Sequence, residues 1–173
     1  VRVPSLLGGS LIWEHGYPHI KPGLYHGEQV HHPVLLRQPN GRSLLVVEPY
    51  LFDLKTGDRH VPNGAPDNWS LKRPGHSCGS LSGCGYSLYF RANNPTVLNL
   101  QSGDGGLFTA LSPSRPGCWI NMIPAAGRLL IPEASASCVC HYPIQTSMAF
   151  VPVYANVGAS TDVFLEDILP DNN

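Results

Sequence analysis

Five cysteines offer the most chemistry in this chain: Cys78, Cys84, Cys118, Cys138 and Cys140. Thiols can form disulfides, hold a metal ion as thiolates or act as nucleophiles. Because their number is odd, at least one has no disulfide partner within the chain. The run from Cys138 to His141 is one residue shorter than the Cys-x-x-Cys-His motif that attaches a c-type haem. The sequence therefore predicts no covalently attached haem.

Histidines are the second group with potential chemistry, and there are eight of them. None has the spacing of a recognised metal site, so no metal site is predicted. No Ser-His-Asp order, phosphate-binding glycine loop or carboxylate pair is evident, and no catalytic residue is predicted. The weak candidates for metal ligands are His31, His32, His76 and His141.

Composition narrows the class of protein. The net charge is −1 and no run of Lys or Arg exceeds two residues, which argues against electrostatic binding to nucleic acid. No apolar run approaches the roughly 18 residues of a membrane-spanning helix. With 18 Gly, 17 Pro and only 13% charged residues, the chain is expected to form short strands and turns. Cysteines in such a composition favour an oxidising, extracytoplasmic location, periplasmic or secreted.

Short apolar runs separated by turn residues predict strands from residue 31 onward. The runs at 32–37, 43–47 and 50–54 predict one antiparallel unit, with Asn40-Gly41 as its first turn. The unit then recurs, because TVLNLQSGD at 96–104 matches YLFDLKTGD at 50–58 with an offset of 96 − 50 = 46.

A third unit is predicted within residues 115–153. Its expected strands are 119–123, 128–131 and 146–151, with a turn at 125–127. Trp119 is expected to pack in the core of this unit.

A period of about 40 to 50 residues with several short strands is typical of β-propeller blades. The predicted fold is therefore all-β, with about three four-stranded antiparallel blades; a repeating antiparallel sandwich is the alternative. Propellers need about four to eight blades, so the chain is expected to be part of a larger propeller. The predicted division is an irregular segment at 1–30, blades at 31–154 and an acidic tail at 155–173.

Four stretches carry a family resemblance: HHPVLL…LFDLKTG at 31–57, GHSCGSLSGCGYSLYFR at 75–91, RPGCWINMIPAAGRLLIPEASASCVC at 115–140 and YPIQTSMAFVP at 142–152. Together they resemble the carboxy-terminal blades of bacterial PQQ-like β-propeller proteins, the group with a quinoprotein-alcohol-dehydrogenase-like propeller. The resemblance implies the fold, but the chain lacks the adjacent cysteine pair found in many PQQ enzymes.

The resemblance also groups the thiols. In such proteins the positions of Cys78, Cys118, Cys138 and Cys140 recur together, which implies disulfides among these four. Cys138 and Cys140 would lie on one side of an extended strand, so each is expected to pair with a different partner. Cys84 is then the candidate free thiol. A tetrahedral thiolate metal site made by the same four cysteines is the alternative.

Two function hypotheses follow. The first is a non-catalytic propeller segment, which acts as a binding or assembly module of a secreted or periplasmic multi-part protein. Its partners would be the remaining propeller blades or another protein chain. The second is a scaffold subunit or fragment of an oxidoreductase, in which PQQ with calcium, or haem, is held mainly by other segments or chains. No cofactor is predicted for this chain itself.

Overall fold

The computed structural model describes residues 2–4, 9–16, 32–133, 144 and 146–151. Within these ranges the chain forms antiparallel sheets joined by turns and irregular segments, without a helix. The all-β prediction is confirmed. The sheets contain two to four strands each, and in the described part of the chain they do not close into a ring. No helix that could cross a membrane occurs in the same ranges.

Two short strands lie in the amino-terminal segment that was expected to be irregular. β1 (Arg2–Pro4) and β2 (Leu11–Glu14) pair in an antiparallel hairpin. Trp13 is the one buried residue of β2, since its neighbours Ile12 and Glu14 point to solvent. This alternation marks a strand with one covered face.

The first four-stranded sheet follows the predicted unit closely. It is a meander in which each strand pairs with the next one along the chain. Alternate residues such as Leu44 and Val46 are fully buried on one face. Its strands are β3 (Val34–Arg37), β4 (Ser43–Val47), β5 (Tyr50–Asp53) and β6 (Arg59–His60).

The second four-stranded sheet repeats the same meander. Leu88 and Phe90 on its second strand are fully buried and form one core with Leu44 and Val46 of the first sheet. Its strands are β7 (Ser82–Cys84), β8 (Ser87–Ala92), β9 (Asn94–Asn99) and β10 (Thr109–Ala110).

The third sheet has three strands in the described residues: β11 (Ile123–Ala125), β12 (Arg128–Ile131) and β13 (Met148–Phe150). β12 has the predicted bounds. The predicted strand at 119–123 is wrong, because residues 111–122 form an irregular linker. Trp119 is 72% exposed, so its expected place in the core is also wrong.

The departure at Trp119 has a physical reason. Trp119 and Ile120 are both exposed, whereas the next two residues, Asn121 and Met122, are both buried. Two consecutive exposed residues followed by two consecutive buried residues do not fit a strand, in which exposed and buried side chains alternate. The strand starts only at Ile123, where Pro124 is tolerated because β11 lies at the edge of its sheet.

The sheets pack face to face in chain order. Trp13 of the amino-terminal hairpin packs on Phe52 of the first sheet, with ring centroids 5.7 Å apart. The opposite face of the first sheet shares a core with the second sheet. The other face of the second sheet packs through Tyr89 against Met122, Leu129 and Ile131 of the third sheet and its linker.

Shared hydrogen bonds show that the repeat is structural. A leucine N–H in each linker donates to a proline carbonyl of the preceding sheet, Leu71 to Pro49 and Leu111 to Pro95, both at 2.8 Å. Gly57 and Gly103 turn the chain at equivalent places with φ of 79° and 74°. The predicted offset of 46 residues is therefore the distance between equivalent turns, since 103 − 57 = 46.

Candidate functional site

The junction between the second and third sheets holds the described cysteine segments. Gly79 lies so close to the third-sheet linker that an added Cβ would be 2.8 Å from the Trp119 carbonyl oxygen and 3.0 Å from that of Cys118. The Asn121 side chain donates to the Cys78 carbonyl at 2.7 Å. The fold thus places the Cys78 segment beside the Cys118 segment, although 40 residues separate them (118 − 78 = 40).

Three of the candidate cysteines can be placed. No disulfide joins Cys78, Cys84 and Cys118 to one another in the described residues. Cys138 and Cys140 lie outside the described residues, so their pairing with Cys78 and Cys118 stays a prediction. Cys84 is exposed on β7 at the edge of the second sheet.

A buried cation lies at the same junction. Arg91 is 0% exposed, and its Nη1 approaches the Cys118 sulfur at 3.6 Å. Its Nε and Nη2 have no hydrogen-bond partner among the residues that the structure describes. Successive residues of β8 point to opposite faces, so Arg91 shares with Tyr89 the face that meets the third sheet.

A second buried arginine connects the first and second sheets. The Nε and Nη2 of Arg73 donate to the two carboxylate oxygens of Glu48 at 2.6 and 2.9 Å, and its Nη1 donates to the Gly79 carbonyl at 3.0 Å. The side chains of Arg73 and Glu48 are 1% and 5% exposed. This bidentate ion pair fixes the linker before the second sheet to the β4–β5 turn of the first sheet.

The candidate metal ligands are not brought together where they can be placed. His32 is exposed. The backbone N–H of His76 donates to Oδ1 of Asn93, at the tip of the β8–β9 hairpin, and the His76 carbonyl accepts from the Asn93 N–H. His31 and His141 lie outside the described residues. Among the residues that can be placed, no group of three or more His, Cys, Asp or Glu side chains could hold a metal ion.

A polar cluster at the outer end of the first sheet was not predicted. Arg42 donates from Nε to Asp53 at 2.8 Å, and its Nη1 lies 3.3 Å from the ring of His60. Burial lowers the pKa of His60, and the Arg42 charge lowers it further. Burial raises the pKa of Asp53, but hydrogen bonds from Arg42 and the backbone of Lys55 and Thr56 outweigh it and leave the pKa lowered.

A cleft of about 530 Å³ opens between the second and third sheets. Its walls are mainly apolar and include Tyr89, Leu129 and Phe150, while Cys84 and Arg128 contribute to the lining. A cleft of this composition suits an apolar side chain or an apolar small molecule.

No protein-family model, curated protein or solved structure matches this chain. The resemblance to PQQ-like propellers therefore stays a prediction. The site residues that the sequence did not reveal are the buried arginines, Arg73, Arg91 and Arg115. The sequence gives little indication that these arginines are buried. Each follows an apolar residue or precedes a Pro-Gly turn, and many exposed arginines have the same neighbours.

Proposed function

We propose that this chain is a non-catalytic segment of a larger β-propeller and acts as a binding and assembly module of a multi-part protein. The observation that carries the proposal is the outer face of the third sheet. Ile123 and Leu130 are paired across β11 and β12 on this face, and they are 41% and 38% exposed.

Equivalent faces elsewhere in the stack are covered. Phe52 on the outer face of the first sheet is 5% exposed, because Trp13 packs on it. Tyr89 on the outer face of the second sheet is covered by the third sheet. The face that carries Ile123 and Leu130 thus continues a series in which each sheet covers the one before it.

The proposed occupant of this face is another small antiparallel sheet, either from another segment of the polypeptide or from another chain. Complete burial of a fully exposed Leu or Ile side chain contributes about 1.5–3 kcal/mol, so covering Ile123 and Leu130, which are 41% and 38% exposed, gains roughly 0.6–1.2 kcal/mol each. Covering two such residues is therefore enough to favour association once the neighbouring sheet is held nearby. Blades from the same polypeptide would meet that condition through the linker that joins them.

The proposal is tested by placing a charge on this face. Leu130→Lys should abolish self-association of the purified chain at high concentration and lower its binding of a dye that fluoresces on apolar surfaces. Size-exclusion chromatography with light scattering gives the mass, and fluorescence gives the dye binding.

The matched control is Leu107→Lys, because Leu107 is 68% exposed in a loop of the second sheet. This variant should behave like the unmodified chain. If the unmodified chain is monomeric at every concentration, binds no dye and is indistinguishable from Leu130→Lys, the assembly proposal is wrong.

The disulfide prediction supports an extracytoplasmic location and has its own test. We expect two disulfides among Cys78, Cys118, Cys138 and Cys140, so alkylation of the denatured chain without reductant should modify one cysteine, Cys84. With reductant it should modify all five. Intact mass spectrometry counts the labels, and four or five labels without reductant would contradict the disulfide framework.

The oxidoreductase hypothesis stays a prediction beside this proposal. A quinone or haem bound to the native protein would absorb between about 300 and 600 nm. An absorption band in that range which purifies with the chain would favour the oxidoreductase hypothesis over the assembly module.

A further inference from the structure

The packing between neighbouring sheets differs between the first–second and the second–third junctions. Where the second sheet meets the first, side chains of the first sheet fill the space around the β7–β8 turn. A Cβ added at Gly83 of β7 would lie 2.8 Å from the Leu36 side chain, and one added at Gly85 in the turn would lie 3.9 Å from the Pro39 ring. Leu36 is 1% exposed, so this junction is tightly packed.

The junction between the second and third sheets is open at the equivalent turn. A Cβ added at Gly127 in the β11–β12 turn would meet nothing within 4 Å. Turn length accounts for the difference, since residues 38–42 join β3 to β4 whereas residues 85–86 join β7 to β8. The shorter turn of the second sheet has no counterpart of Pro39, so the cleft of about 530 Å³ remains between the second and third sheets.

Apolar pairs form the two walls of this cleft. Tyr89 and Val97, which are paired across β8 and β9, line it from the second sheet. Leu129 and Phe150, which are paired across β12 and β13, line it from the third sheet. A hydrocarbon chain held between these pairs would be removed from water on both sides.

A single positive charge lies beside these walls. Arg128, at the start of β12, is the one charged residue among the described residues that line the cleft. The ion pairs in the described part of the chain are made by Arg2, Arg42 and Arg73, so the Arg128 guanidinium has no carboxylate partner there. A guanidinium binds a carboxylate through two parallel hydrogen bonds. The lining therefore complements a molecule with an apolar body and one carboxylate.

We propose that the cleft binds a free medium-chain carboxylate, with its carboxylate on Arg128 and its hydrocarbon chain between the Tyr89–Val97 and Leu129–Phe150 pairs. The cleft volume of about 530 Å³ falls within the range of roughly 300–1,000 Å³ that is typical of small-molecule sites. The outer face of the third sheet, proposed above for assembly, lies on the other side of β12, because successive residues of a strand point to opposite faces. The two sites are therefore distinct, and this proposal does not rest on the assembly function.

The probe is decanoate below its critical micelle concentration, with decanol and decyltrimethylammonium as its neutral and cationic counterparts. Cys84 is exposed and lines the cleft, so the rate of its alkylation by iodoacetamide reports whether the cleft is occupied. Saturating decanoate should slow the modification of Cys84 at least about tenfold, which peptide mapping by mass spectrometry measures. Decyltrimethylammonium should give no protection at the same concentration, because Arg128 repels its charge.

Variants of Arg128 test the role of the charge. Arg128→Gln should weaken decanoate binding by about ten- to a hundredfold, because charge-assisted hydrogen bonds are lost, and it should leave decanol binding unchanged. Arg128→Lys keeps a positive charge and should retain more of the affinity than Arg128→Gln. Arg37→Gln is the matched control, because Arg37 is exposed on β3 and lies outside the cleft. Calorimetric titration measures each dissociation constant.

The proposal is overturned if the unmodified chain does not bind decanoate. It is also overturned if Arg128→Gln binds decanoate as tightly as the unmodified chain does, or if bound decanoate leaves the alkylation of Cys84 unchanged. Leu130→Lys alters the outer face of the third sheet and should leave the protection of Cys84 intact. Loss of protection in that variant would place the decanoate on the outer face instead, so failure of this proposal can be distinguished from failure of the assembly function.

Discussion

At the scale of single residues, the position of an ion pair decides how much it contributes. The Arg73–Glu48 pair is almost fully buried, whereas Arg42 in the Arg42–Asp53 pair is 40% exposed. Removing one partner from a buried pair leaves an uncompensated charge away from water. When one partner of an exposed pair is removed, water hydrates the remaining charge at little cost in free energy.

We therefore expect Arg73→Met to lower the free energy of unfolding by about 3–5 kcal/mol. Arg42→Met, the matched control at an exposed pair, should lower it by less than about 1 kcal/mol. Urea unfolding followed by circular dichroism measures both. Equal losses in the two variants would show that burial of the Arg73 pair does not matter.

His60 gives the stability a defined pH dependence. Its pKa is lowered in the folded chain, first by burial and then by the Arg42 charge, while Asp53 acts in the opposite direction. The unfolded chain therefore binds more protons at this residue than the folded chain does. The contribution of His60 to the free energy of unfolding is complete above pH 6.5, which is the ordinary pKa of histidine. It is lost as the pH falls below 6.5.

His60→Gln should accordingly make the melting temperature less sensitive to pH between about 7.5 and 5. The difference between the variant and the unmodified chain isolates His60 from the other histidines. If the two melting curves shift in parallel over this range, the folded environment of His60 does not affect its protonation.

At the scale of elements, equivalent turns in the first and second sheets face different surroundings. Gly57 and Gly103 both have positive φ, where a residue with a Cβ is strained. A Cβ at Gly57 would lie 2.8 Å from the Trp13 ring, whereas a Cβ at Gly103 would meet open space. Comparing the same substitution at Gly57 and at Gly103 therefore separates the cost of backbone strain from the cost of disturbing the amino-terminal hairpin.

Gly103→Ala should lower the free energy of unfolding by about 1 kcal/mol, the cost of the backbone conformation alone. Gly57→Ala should lower it by about 2–4 kcal/mol, because Trp13 must also move. Urea unfolding of the two variants provides the comparison. A cost at Gly57 no larger than at Gly103 would indicate that the hairpin carrying Trp13 adds little stability.

The strands were predictable where one face is buried and the other is not. Leu44 and Val46 alternate with less buried residues, and the match of 96–104 to 50–58 identified the repeat. The linker at 111–122 was not predictable, because Trp119 and Ile120 look like strand residues but are exposed. The Arg91–Cys118 contact depends on how two sheets pack, and local sequence carries no information on that.

At the scale of the whole molecule, the second sheet lies between the first sheet and the third in the part of the chain that the structure describes. Leu88 and Phe90 lie in the core shared with the first sheet, and Tyr89 packs against the third. Its outer strand β10 has only two residues, and both are exposed. Local opening should therefore be rarest in the middle strands of this sheet.

Hydrogen exchange should be slowest in β8 and β9 and faster in β11 and β12, whose outer face is uncovered. Peptide-resolved mass spectrometry of the native chain measures these rates, with the denatured chain as reference. Faster exchange in β8 than in β12 would contradict the order of stability expected from the stacking.

The exposure of Trp119 has an optical consequence. The chain has three indoles, and they lie in different surroundings: Trp13 is 8% exposed on the first sheet, Trp69 is partly buried in the next linker, and Trp119 is 72% exposed beside Cys118. A buried indole emits at shorter wavelength than one in water. A chain that retains only Trp119 should thus shift its emission to the blue when a neighbour covers the third-sheet linker, while one that retains only Trp13 should not change.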